Sequence, residues 1–160
     1  MTQIAFVTGA TGFVGAHLAR QLVASGWEVT ALVRESSSLQ DIDDLDLTLR
    51  YGDVTDHDSV RAAMPVGVDA VFHVAASTNI WSRHNAQQTD VNVRGTDHVV
   101  RAAIERGAAR FVHTSSFIVW GFHDGIIDEE TPWTTGDEWV NYLRTKRLAE
   151  RRVHQAVESG

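Results

Sequence analysis

The chain has 160 residues, of which 43% are hydrophobic and 22% charged, with a formal charge of −7 and no cysteine. That balance excludes disordered, collagen-like and fibrous chains, and the length suits one domain able to bury its own core. Without cysteine there is no disulfide, thiolate zinc site, iron–sulfur cluster or cysteine nucleophile. The acidic surplus argues against nucleic acid as a partner, because phosphate binding needs a basic surface. No apolar run approaches the ~18 residues of a membrane span. The first fifteen residues read as a strand entering a glycine turn rather than a signal peptide, so a cytoplasmic chain with no membrane partner is expected.

Short apolar runs alternate with longer amphipathic stretches. Residues 3–8 predict a strand, and 13–25 a helix stopped by Gly26. Residues 28–33 predict a second strand, 41–46 an acidic solvated loop, and 47–51 a weak third strand. Residues 56–64 predict a short helix with Asp56 as its N-cap, ended by Pro65. A fourth strand over 70–74 precedes one long helix over 87–106, stopped by Gly107. A fifth strand over 110–114 leads into an irregular segment, 121–136, and a last helix, 139–157. Strands joined by helices must cross over right-handed. The expected fold is therefore α/β: a doubly wound, Rossmann-type parallel sheet with strand order 3-2-1-4-5. Two prolines and no low-complexity tract leave no internal domain boundary.

Thr8-Gly9-Ala10-Thr11-Gly12-Phe13-Val14-Gly15 joins the first strand to the first helix. Gly9 permits a tight turn, Gly12 lets backbone approach a pyrophosphate, and Gly15 lets the helix pack closely on the sheet. A diphosphate there meets free N–H groups and the positive end of the helix dipole. Dinucleotide contacts are expected from Gly9, Thr11, Gly12, Phe13, Val14 and Gly15. Tyr142 and Lys146 lie four apart on the last helix, hence on one face. A phenol is a poor proton donor near neutrality. A neighbouring ammonium favours phenolate and fits Tyr142 for general acid–base work.

The G-x-x-G-x-x-G spacing, with Thr8 before it and Phe13 after Gly12, resembles the extended branch of the short-chain dehydrogenase/reductase superfamily. Gly52-Asp53-Val54-Thr55-Asp56 is similar to that family's adenine-contacting loop, with Asp53 on the adenine amine and Val54 beside it. Val74, Ala75 and Ala76 look like the fourth-strand turn that passes the cofactor ribose and phosphate. Asn92-Val93-Arg94-Gly95-Thr96 looks like the N-x-x-G-T motif, whose asparagine orders the active site. His113-Thr-Ser-Ser-Phe-Ile-Val-Trp-Gly121 looks like the fifth-strand end, with Thr114 at the cofactor. Ser116 matches the catalytic serine, Ser115 competes with it, and Trp120 stands where tyrosine is usual. The resemblance thus implies a catalytic set of Ser116, Tyr142, Lys146 and Asn92. Phe72-His73-Val74-Ala75-Ala76, Ile80-Trp81 and Leu32-Val33-Arg34 are most similar to dihydroflavonol reductases and 3β-hydroxysteroid dehydrogenases.

NAD-binding folds of this kind place an acid at the end of the second strand to hold the ribose hydroxyls. Here that strand ends in Arg34, which suits the 2′-phosphate of NADP. NADP is therefore expected ahead of NAD, with Glu35 as the opposing charge. The eight histidines show no ligand spacing, so no metal is expected. Trp81, Trp120 and Trp133, near strand ends, are candidates to wall an apolar substrate pocket. The resemblance implies a carbonyl reductase or alcohol dehydrogenase acting on a small molecule. A nucleotide-sugar epimerase or dehydratase, and a cofactor-binding module without turnover, remain alternatives. It also implies a homodimer through the two long helices. The resemblance further implies that residues 1–160 are the family's NAD(P)-binding domain, expected to be truncated before the C-terminal strands and substrate region.

Overall fold

A computed structural model describes residues 2–79, 81–136 and 139–159; Ile80, part of one motif above, lies outside them. Five parallel strands form a single sheet in the order β3-β2-β1-β4-β5. They are β1 (Ile4–Thr8), β2 (Glu28–Val33), β3 (Thr48–Tyr51), β4 (Ala70–His73) and β5 (Phe111–His113). The expected doubly wound order is the observed one. β1 lies at its centre and is buried on both faces, as a covered parallel strand must be. Phe6 points to one face, into a core with Leu32, Val60, Val71 and Val99. Ala5 and Val7 point to the other, with Val29, Ala31, Val33 and Leu22.

The helices are α1 (Phe13–Ala24), α2 (His57–Ala63), α3 (Asn85–Thr89), α4 (Gly95–Glu105) and α5 (Asn141–Glu158). Asp56 caps α2 as expected, its carboxylate accepting from Asp58 N at 3.1 Å. Two local expectations change. The helix over 87–106 begins at Asn85 and is broken by a π turn, Asp90–Arg94, between α3 and α4. Such turns widen the helix at one point and recur at functional sites. The acidic loop around 41–46 is only half solvated. Ile42 is 2% exposed and packs with Leu39, Leu45 and Leu47 beneath β2, while Asp44 faces outward against Arg20 at 2.6 Å. Among the described residues no helix is long and apolar enough to cross a membrane.

Candidate functional site

The carboxyl ends of β1, β2, β4 and β5 open into a cleft of about 820 Å³, where doubly wound sheets bind ligands. Its wall includes every residue expected to contact a dinucleotide, from Gly9 through Lys146. The glycines of the first turn serve different ends. Gly9 has φ +75°, and a Cβ there would stand 2.6 Å from Ala75 N. A Cβ on Gly15 would collide with the Gly9 carbonyl, so this glycine brings α1 against the turn. Gly12 is different. Its φ of −94° and ψ of 167° suit any residue, and a Cβ would meet only Gly9 O, at 3.5 Å. Neither backbone nor packing asks for glycine at a position that lines the cleft.

The amino end of α1, beside Gly12, has no side-chain cap and no acid in its first turn. Its free N–H groups and the helix dipole favour an anion. Uncapped helix end and bare Gly12 together fit a pyrophosphate, so the site passes a structural test for the dinucleotide the sequence implies. Arg34 and Ser37 reach the cleft from the turn after β2, which Ser37 N closes on Arg34 O at 3.0 Å. Glu35 is exposed and outside the lining. Asp53 Oδ1 accepts from Thr55 N at 2.9 Å and Thr55 Oγ1 at 2.8 Å, which shapes the loop after β3. Gly95 admits α4 against that loop: a Cβ there would lie 2.9 Å from Val54 Cγ2.

Tyr142 and Lys146, from the first two turns of α5, close the far end of the cleft. Lys146 is 2% exposed, and its ammonium donates to Thr114 O at 2.7 Å. Burial lowers its pKa, and Glu150 opposes that fall. Of three ammonium protons, one is held by Thr114 and two can serve a ligand. The serines divide. Ser115 borders the cleft, but its hydroxyl is buried with no hydrogen-bond partner among the described residues. Ser116 stands just outside the lining and caps a 3-10 turn, Phe117–Trp120, its oxygen 3.4 Å from Ile118 N. Accepting there leaves the Ser116 proton free to donate.

Asn92 is buried behind the cleft wall. It is 2% exposed, lies on the π turn and is absent from the cleft wall. Its Oδ1 accepts from Ser77 N at 2.7 Å, and its Nδ2 donates to Ser77 O at 3.0 Å and Thr145 Oγ1 at 3.1 Å. Asn92, expected in the catalytic set as the residue that orders the site, thus holds the Ser77 backbone and the Thr145 hydroxyl. The sequence reading missed its companion. Gln88, 1% exposed, donates to Ser77 O at 3.0 Å and Asn79 O at 2.7 Å, and accepts from Asn141 at 2.8 Å. These two amides, one turn apart, tie the cleft wall at Ser77–Asn79 to α5 on both sides of Tyr142. A Gln/Asn pair at i, i+4 in a helix was the available signal.

The tryptophans do not line the cleft. Trp81 is 60% exposed with the Arg83 guanidinium 4.5 Å from its ring centre, and Trp133 packs against Arg147 and Arg151. Among the described residues no group of three or more His, Asp or Glu could hold a metal.

A family model described as the NAD dependent epimerase/dehydratase family matches residues 5–160. Among curated proteins, sterol demethylase protein B of Methylococcus capsulatus is 38% identical over 92% of this chain and 45% of its own length. A 3-beta-hydroxysteroid dehydrogenase of Mycolicibacterium neoaurum is 36% identical over 92% and 41%. A solved short-chain dehydrogenase/reductase superfamily protein from Agrobacterium tumefaciens, with bound NAD, superposes with a TM-score of 0.82 at 27% identity, over 99% of this chain and 46% of that one. The chain thus spans less than half the length of these relatives. Fold, glycine turn and family match agree: this chain belongs to the NAD-dependent epimerase/dehydratase family.

Proposed function

We propose that residues 1–160 form the NAD(P)-binding unit of an oxidoreductase that interconverts a ketone and a secondary alcohol. One observation carries the reading: Tyr142 and Lys146 line the same cleft as the glycine turn. The turn from Gly9 to Gly15 receives the diphosphate, Asp53 and Val54 the adenine, and Val74 to Ala76 the ribose. A nicotinamide cofactor held along this cleft would supply hydride in reduction and accept it in oxidation. Tyr142 gives the proton to the substrate oxygen in reduction and takes it in oxidation. Lys146, anchored on Thr114 O, keeps two donors for the ribose. Ser116 donates its free proton to the substrate oxygen. Asn92 and Gln88 hold the opposite wall at a set distance from Tyr142.

Relatives named as a sterol demethylase protein, a hydroxysteroid dehydrogenase and a 2-alkyl-3-oxoalkanoate reductase support the reductase reading over sugar epimerisation. Arg34 in the cleft wall, with Glu35 outside it, supports NADP. Pairing of two copies through α4 and α5 belongs to the same reading, and sedimentation velocity measures it. The central test is fluorescence titration with NADPH and NADH, then cofactor consumption against ketones, aldehydes and nucleotide sugars. Tighter NADPH binding, reversed in Arg34→Asp, is the expected result. Absence of binding to either cofactor refutes the reading, and turnover of nucleotide sugars alone replaces it with the epimerase one.

A further inference from the structure

Between the glycine turn and the π turn runs a line of buried polar groups that the reading above does not use. Thr96 Oγ1 donates to Asn92 O at 2.7 Å and lies 3.0 Å from His73 Nε2. His73 Nδ1 lies 2.7 Å from Thr8 Oγ1, which accepts Ala75 N–H at 3.3 Å. Thr8, His73 and Thr96 are 0%, 1% and 1% exposed, and none of them lines the cleft.

The groups at the Asn92 end set the direction of the whole line. A carbonyl only accepts, so the single Thr96 hydroxyl proton belongs to Asn92. Thr96 then accepts from His73, which puts the imidazole proton on Nε2. Nδ1 is left as an acceptor, so Thr8 donates to it and keeps a lone pair for Ala75. A doubly protonated ring would turn Thr8 into an acceptor on both sides and strand its proton. The surroundings keep the ring neutral: burial above all, then His113, stacked at 5.4 Å, and Lys146 hold its pKa well below the usual value.

We propose that His73, as the neutral Nε2–H tautomer, is the positioning residue that couples the π turn at Asn92 to the glycine turn at Gly9. The proposal rests on the dinucleotide reading. Its physical basis is the lack of slack at the far end, where Gly9 and Ala75 touch so closely that a Cβ on Gly9 would stand 2.6 Å from Ala75 N. Thr8 directly precedes Gly9, and its hydroxyl accepts from the same Ala75 N–H. A Thr8 hydroxyl fixed by His73 therefore fixes where the diphosphate end of the cleft sits relative to the Tyr142 end. Without it, the two ends of the cleft lose their common reference.

Nitrogen-15 spectroscopy of the imidazoles reads the tautomer directly, with His73 assigned by its loss in His73→Gln. Wild type is expected to show Nε2–H. Thr96→Val removes the acceptor of that proton and leaves Nε2–H buried without a partner, so the Nε2 resonance is expected to shift while Nδ1 keeps its bond from Thr8. NADPH affinity of Thr96→Val is expected to fall about fivefold, the size of one hydrogen bond, although Thr96 does not line the cleft. Thr96→Ser, which restores the hydroxyl, is expected to recover both the Nε2 resonance and the affinity. An Nδ1–H ring in wild type, an unchanged Nε2 resonance in Thr96→Val, or an unchanged affinity in Thr96→Val overturns the proposal. Wild type that binds neither NADPH nor NADH instead defeats the dinucleotide reading itself.

Discussion

His113→Phe tests the electrostatics of the buried site. His113 ends β5 with both ring nitrogens buried and without partners among the described residues, its ring stacked on His73. Burial, then the nearby Lys146, pushes its pKa down from 6.5 to about 4. As pH falls below 6.5 the unfolded chain takes up the proton first, while the folded chain resists until about 4. Stability attributable to this residue is therefore whole above pH 6.5, declines between 6.5 and 4, and levels off below. The loss is ~3 kcal/mol, at 1.36 kcal/mol for each pH unit between the two values. Phenylalanine keeps the ring and removes the charge. At pH 7 it also removes the cost of two unsatisfied nitrogens, ~1–3 kcal/mol, against a small overpacking penalty. Urea denaturation followed by tryptophan fluorescence at pH 7, 5.5 and 4 measures the difference. The variant is expected to be equal or more stable at pH 7 and to gain a further ~3 kcal/mol over wild type by pH 4. Curves that fall in parallel with pH refute the assignment of this titration to His113.

Gly12→Ala is expected to stabilise the fold by ~0.5 kcal/mol, because its φ and ψ suit alanine, while weakening NADPH binding at least tenfold. Gly9→Ala, at φ +75° and against Ala75, is expected to cost ~2 kcal/mol or more; thermal melts and titrations separate the two. Tyr142→Phe is expected to keep NADPH affinity and lower turnover at least ~100-fold, and near wild-type rates would remove Tyr142 as the proton donor. Asn92→Leu is expected to cost ~3 kcal/mol in urea denaturation, since it leaves Ser77 N–H without its partner and loses the link to Thr145.

The strands, the glycine turn and the Tyr142/Lys146 face were all legible in the chain, because each rests on local rules, and the sheet order followed from right-handed crossovers. Strand alternation, a positive φ at Gly9 and a four-residue helical spacing are properties of neighbours in sequence. The π turn at Asn92, the Gln88 bridge and the Lys146 bond to Thr114 were not legible. Their partners lie 15, 53 or 32 residues away, and no periodicity encodes which carbonyl a buried amide or ammonium will find. The same limit applies to Ile42, whose burial hides behind four acidic neighbours, and to the three tryptophans near strand ends. Composition and periodicity determined by themselves that there is a doubly wound sheet with a phosphate-suited turn. Only the tertiary structure decided which groups Asn92 holds, the Ser77 backbone and the Thr145 hydroxyl. A buried polar group is committed by the partners that folding brings to it, because leaving it unpaired costs more than any local preference supplies.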